Sequence, residues 1–200
     1  MTGPRQPLEP PNDVADDILV LRAQQDPAQF DPIFERYWNP IVRYCYYRLG
    51  DWHQSEDATA QVFLNAIAAL PDFSDAQHDN SFKAWLFTIA SRVVSNQRRT
   101  AARHPQTSLD TLGDRQSPDA SIEEQAIARD EHRQLYELIS QLKPEQQQLI
   151  DLRLAGLNDL EIARVLDRNP AAVRKAFSRA VISLRDLRST SRLPREETAQ

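Results

Sequence analysis

Apolar residues along this chain recur at three- and four-residue steps, the period of an α-helix, and no stretch alternates as a strand would. From Val14 to about Arg103 nearly every segment carries this spacing. Ile18, Leu19, Leu21 and Arg22 suit a first helix. A second runs from about Phe30 to Leu49 on Ile33, Phe34, Tyr37, Ile41, Tyr44, Cys45 and Arg48, with Gly50 as its stop. Ser55 then reads as an N-cap, with Glu56 and Asp57 at the positive end of a helix reaching Leu70. Its apolar positions are Val62, Phe63, Ala66, Ile67 and Leu70, and Pro71 ends it. The polar loop Asp72 to Asn80 leads to a fourth helix from about Ser81 to Arg103, with Phe82, Trp85, Leu86, Ile89, Val93 and Val94 as its buried stripe.

The periodicity then stops. HPQTSLDTLGDRQSPDAS is rich in Pro, Ser and Asp and reads as a linker. Helices resume near Ile122 and continue to about Arg188. Within them, GLNDLEIARVLDRNPAAVRKAFSRAVISLR has the form of a helix-turn-helix. Asn158 with Glu161 makes a capping-box start, and Leu160, Ile162, Ala163 and Leu166 supply a short buried face. A turn falls at Asp167–Arg168, where Asp stands in a place that glycine often takes and tolerates the unusual backbone angles. Asn169 caps the second helix and Pro170 takes its first position, where a missing N–H costs nothing. Val173, Phe177, Ala180 and Leu184 share one face of that helix, opposite Arg174, Lys175, Ser178 and Arg179. A basic face of this kind fits the major groove; an ordinary helical hairpin with a solvated face is the other reading. Pro170, Ala171 and Ala172 permit close approach with few base hydrogen bonds, so phosphate positioning and DNA shape carry much of any readout. The predicted fold is all-α, with two small helical domains joined by a flexible linker.

Charge sharpens this division. The 200 residues carry a net −5, but residues 1–82 hold 13 acids against 5 bases, and residues 83–103 hold 5 bases and no acid. Residues 104–151 return to 10 acids against 4 bases, and residues 152–200 hold 10 bases against 6 acids. Two basic blocks on an acidic chain imply two separate polyanion contacts. The lone Cys45 excludes an internal disulfide framework and fits a reducing cytoplasm. No apolar run approaches the roughly 20 residues that span a bilayer, so no direct membrane insertion is expected.

Two stretches, SEDATAQVFLNAIAALPDF and FKAWLFTIASRVVSNQRR, together resemble region 2 of sigma-70 family RNA polymerase sigma factors of the extracytoplasmic-function (ECF) type. LKPEQQQLIDLRLAGLNDLEIARVLDRNPAAVRKAFSRAVISLR resembles their region 4. The implied organisation is a disordered arm at 1–13, region 2 at 14–103, an acidic linker at 104–124, region 4 at 125–188 and a frayed tail at 189–200. The resemblance implies a transcription initiation factor that binds core RNA polymerase through its clamp helices and flap, and directs it to promoter DNA. It assigns Glu56, Asp57, Gln61 and Phe63 to the helix that docks on the clamp, with Phe63 packing inward. Ala60-Gln61 replaces the family's Gln-Glu, making this face less acidic. Lys83, Arg92, Asn96, Arg98, Arg99 and Arg103 fall to the −10 element, Arg92 replacing a usual Asn and Asn96 a usual Asp. Asp75, Gln77, His78 and Asn80 lie in the loop where the family holds a flipped base, with an ordinary polar loop as the alternative. Asn169, Pro170, Ala171, Ala172, Arg174, Lys175, Ser178 and Arg179 fall to the −35 element. Family promoter elements lie some 25 base pairs apart, roughly 85 Å, within reach of two small domains joined by the 18 residues 104–121, which extend up to about 60 Å. Family members are commonly silenced by a cognate anti-sigma factor.

Enzyme chemistry is not expected: His53, His78, His104 and His132 are scattered, and no phosphate loop or nucleophile elbow is present. No metal, cofactor or small-molecule substrate is predicted. The competing function is a stand-alone helix-turn-helix regulator that acts without docking on core polymerase.

Overall fold

The computed structural model describes residues 14–74, 82–103, 135 and 137–191. Seven α-helices have their bounds among them, α1 (Asp16–Gln25), α2 (Asp31–Leu49), α3 (Trp52–Ala69), α4 (Phe82–Arg103), α5 (Pro144–Leu154), α6 (Asp159–Val165) and α7 (Pro170–Ser191), and residues 137–140 are helical as well. Short 3-10 turns cover Pro27–Phe30 and Leu70–Asp72, and the described residues contain no strand.

Helices α1 to α4 close around an aromatic core. Tyr44 meets Phe87 edge-on at 5.6 Å between ring centroids, Tyr37 meets Phe82 at 5.8 Å, and Phe30 meets Phe63 at 6.2 Å. Such edge-to-face pairs add to burial itself because a positive ring edge meets a negative face. Gly50 ends α2 as expected, at φ 73° with its N–H donating to Tyr46 O at 2.9 Å. The start of α3 differs from the expectation. Asp51, not Ser55, caps it, accepting from Gln54 N at 2.8 Å, and the helix begins at Trp52. Ser55 is buried inside the first turns, its hydroxyl donating to Asp51 O at 2.5 Å. Both residues are good caps in isolation; the earlier one wins because it starts the helix a turn sooner and buries Ser55 and Ala58.

The predicted stripe of α4 holds in Phe82, Leu86, Val93 and Val94, while Trp85 and Ile89 are half-buried and Phe87 joins the core. Trp85 packs on Phe73 at 4.9 Å and Phe82 at 5.3 Å, which favours a packing role over base stacking. Five apolar positions named from the spacing are exposed instead: Ile18 is 43% exposed, Leu21 57%, Phe34 40%, Ile67 43% and Leu160 57%, although the Phe34 ring still packs on Phe63 at 4.8 Å.

The C-terminal helices add a small cluster of Ile139, Leu142, Ile150 and Ala180. Their other buried residues, Leu149, Leu152, Ala155, Leu157, Ile162, Ala163 and Val173, are continuous with the core of α1 to α4. The two helical units therefore lie against one another, an arrangement the sequence pattern did not announce. The linker, the tail and the arm predicted at 1–13 lie outside the described residues, as does the helix start near Ile122.

Candidate nucleic-acid and polymerase interfaces

The helix-turn-helix is built as its sequence implies. Glu161 N donates to Asn158 Oδ1 at 3.0 Å and Asn158 N donates to Glu161 Oε2 at 2.7 Å, a reciprocal capping box. Asp167 takes a left-handed φ of 51°, and Arg168 N closes the helix end on Ala163 O at 2.8 Å. Asn169 Oδ1 then accepts from Ala171 N at 2.8 Å, and Pro170 opens α7. Val173 and Ala180 are fully buried and hold α7 down. Asn169 lies exposed at the turn, and Ala171, Ala172, Arg174, Lys175, Ser178 and Arg179 lie exposed along α7; Pro170 is half-buried. The structure thus brings this predicted set onto one surface.

Two residues of that surface carried no assignment from the sequence. Asp159 accepts from Arg153 and, at 3.2 Å, from Arg174 Nε. The Arg153 hydrogen bond, followed by that of Arg174, holds the Asp159 carboxyl below its usual range. Arg153 also lies 4.8 Å above the Phe177 ring. Asp159 therefore pre-orients a guanidinium that is 74% exposed in the first turns of α7. At sequence level Asp159 reads only as a helix-start acid, because its cationic partners belong to two other helices.

On α4, Arg92, Asn96, Arg98 and Arg99 are exposed, with Arg99 donating to Asn96 Oδ1. Ser95, Arg98 and Arg99 join Arg48 of α2 around an open cavity of about 510 Å³. Arg103 belongs to the last turn of α4, and its side chain lies outside the described residues; Asp75, Gln77, His78 and Asn80 lie outside them altogether. Lys83 stands apart. Its ammonium donates to Gly156 O at 2.5 Å and lies 3.9 Å from Glu161 Oε2, contacts made with the C-terminal unit.

Asp57 and Gln61 project from the outer face of α3, Gln61 donating to Asn65 Oδ1 at 2.8 Å, and Glu56 is half-buried. Phe63 is buried, as expected. The same side of α3 presents Leu64, 62% exposed, and Ile67. Uncovered Leu and Ile beside an acidic-polar strip give this face an apolar component that the sequence pattern did not indicate.

Cys45 is buried, and burial pushes its thiol up to about 12 against the effect of a hydrogen bond with Thr59, so no thiolate forms near neutrality. Among the described residues no three His, Cys, Asp or Glu side chains cluster as metal ligands, and no helix is long and apolar enough to cross a membrane.

Comparisons with known proteins agree with the helical arrangement. The family model for Sigma-70 region 2 matches residues 33–104, and that for Sigma-70, region 4, matches residues 132–184. The ECF RNA polymerase sigma factor BldN of Streptomyces coelicolor is 32% identical over 83% of this chain and 63% of its own length, so the chain spans just under two thirds of that relative. SigD of Mycobacterium tuberculosis is 34% identical over 73% of this chain and 70% of its own, and ShbA of Streptomyces griseus 33% identical over 84% and 93%. Among solved structures, CnrH in complex with the cytosolic domain of CnrY aligns with a TM-score of 0.67, 23% identity and coverage of 88% of this chain and 99% of that one. RpoE in complex with the anti-sigma factor NepR from Bartonella quintana aligns with a TM-score of 0.61, 19% identity and coverage of 82% and 98%. With two family regions in order and relatives above 30% identity, the chain belongs to the sigma-70 family of RNA polymerase sigma factors, in its ECF group, a family of transcription initiation factors and not of enzymes.

Proposed function

We propose that this chain binds core RNA polymerase, directs it to promoters carrying −10 and −35 elements, and assists their opening. The observation that carries this reading is the outward surface of α7, where Arg174, Lys175, Ser178 and Arg179 lie beside the small Ala171 and Ala172 behind a fully capped turn. This is the form of a major-groove reader, with arginines able to grip phosphate or guanine. The −10 element falls to α4, through Lys83, Arg92, Asn96, Arg98, Arg99 and Arg103, and to the loop bearing Asp75, Gln77, His78 and Asn80. Glu56, Asp57 and Gln61 dock on the clamp helices, with Leu64 and Ile67 adding apolar area. Region 4 also engages the flap.

The working boundaries are 14–103 and 125–188, with the acidic stretch 104–124 as tether. Work on RNA polymerase places the protein in the cytoplasm. An anti-sigma protein is a further partner, in keeping with the complexes of CnrH with CnrY and of RpoE with NepR. The test is in vitro transcription with purified core enzyme, mapping the start sites. Transcripts from defined upstream sequences support the proposal. Absence of transcripts, together with tight operator binding by the free chain, would instead establish a stand-alone regulator.

A further inference from the structure

Arg174 is held from behind, and its basic neighbours on α7 are not. Its Nε donates to Asp159 Oδ2 at 3.2 Å, across the turn that joins α6 to α7. The other carboxylate oxygen, Oδ1, accepts from Arg153 of α5, whose Nη1 also donates to Leu157 O at 3.0 Å. The Arg153 guanidinium lies over the Phe177 ring of α7, so the carboxylate is itself steadied from α5 and α7. Among the described residues neither Lys175 nor Arg179 has a carboxylate partner.

An exposed ion pair contributes little to stability, and a carboxylate beside a DNA-facing surface lowers affinity for a polyanion. What Asp159 supplies is geometry. A free arginine loses much rotamer freedom when it docks, and one already held loses less. The bond to Asp159 uses Nε and leaves the terminal Nη1 and Nη2 on a side chain that is still mostly exposed. Those two nitrogens form the fork that meets guanine O6 and N7 end-on. Phosphate contacts ask for charge and carry no sequence information, a task that suits the unheld Lys175 and Arg179. The small Ala171 and Ala172, in the turn before Arg174, let the backbone come close enough for the fork to reach a base edge.

We propose that Asp159 is a specificity-determining residue of the promoter contact: by holding Arg174 at Nε it aims the Nη1–Nη2 fork at one guanine of the −35 element, while Lys175 and Arg179 grip phosphates. This rests on the reading of α7 as the −35 helix. Asp159 is a positioning residue that touches no base and acts through Arg174. Its removal leaves the charge of Arg174 in place and frees its motion, so attraction to phosphate persists while the choice of base at one position relaxes.

Holoenzyme assembled from core enzyme and the full chain is given barcoded templates that share one −10 element and carry a randomised −35 window, and transcripts are counted by barcode. The wild type should favour guanine at one position by at least about fivefold. Asp159→Ala should lower that preference about two- to fivefold, the range of a part-exposed ion pair, and leave preferences at the other positions unchanged. Asp159→Asn keeps the shape and one acceptor oxygen, strands no helix start, and should fall between the two. Arg174→Ala should abolish the preference, and adding Asp159→Ala to it should change nothing further, an outcome that a merely structural role for Asp159 would not give. Lys175→Ala should instead weaken all templates alike and reduce the salt dependence. An unchanged guanine preference in both Asp159 variants, or an equal loss at every position, overturns the proposal. A wild type with no preference anywhere in the window would overturn the −35 reading itself, and the proposal with it.

Discussion

Region 2 and region 4 are both small helical units, but they are stabilised differently. Region 2 encloses its own aromatic core, with Tyr44, Phe87, Ile33, Ile41 and Leu86 fully buried. Region 4 has a private cluster of four buried residues, while Leu149, Leu152, Leu157 and Ile162 belong to a core continuous with region 2. Region 2 supplies most of the shared interior, and region 4 completes it while keeping only a small cluster of its own.

The largest effect should come from cutting into the aromatic core of region 2. Phe87→Ala removes a fully buried ring and should cost about 3–5 kcal/mol. Urea denaturation followed by far-UV dichroism should show loss of helicity in both regions, because region 4 loses the surface it shares. A change confined to region 2 would break the comparison.

Arg174→Glu with Arg179→Glu should abolish −35-dependent initiation, while the melting curve stays close to wild type because both side chains are exposed. Each reversal replaces a phosphate-attracting charge with a repelling one. Promoter occupancy measured by footprinting with core enzyme is the check, and unchanged occupancy would remove α7 from the readout.

A smaller, graded effect should follow pH. Asp151 is faced by Arg48, Tyr44 and Tyr47 of α2 and by Arg98 of α4. Its carboxyl rises from an ordinary 3.8 to about 7, with burial as the main cause. The folded chain therefore holds a proton that the unfolded chain releases between those values. Linkage then requires stability to rise as pH falls through about 7 toward 4, and to level off outside that window. Urea denaturation across this range tests it, and the Arg48→Met with Asp151→Leu variant should lose the dependence. The smallest effect is Asn158→Ala, which deletes one arm of the α6 capping box and should cost about 1 kcal/mol in region 4 alone, read by denaturation.

Much of the fold was legible in local sequence. The stops and caps at Gly50, Asn158, Asp167, Asn169 and Pro170 act within a few residues, and all appear where the pattern put them. Reading failed where two local answers competed or where burial depended on distant helices. Ser55 was read as the cap of α3, but Asp51 takes that place and Ser55 is buried within the helix. Ile67 and Leu160 follow helical spacing yet lie exposed, and Phe34 is only part-covered, because the spacing defines a stripe wider than the neighbouring helices cover. Of the candidate sites, the α7 set emerged on one surface, whereas Lys83 proved to be engaged by region 4 and Leu64 went unnoticed beside Asp57 and Gln61.

The sequence alone determined the helices, the helix-turn-helix and the family, because periodicity, caps and motif spacing are short-range properties written into neighbouring residues. Tertiary structure alone decided that the two regions share a core, that Arg48 meets Asp151, and that Asp159 steadies Arg174. Those facts depend on which faces remain uncovered after each unit folds, and on charges that meet only when distant segments of the chain come together.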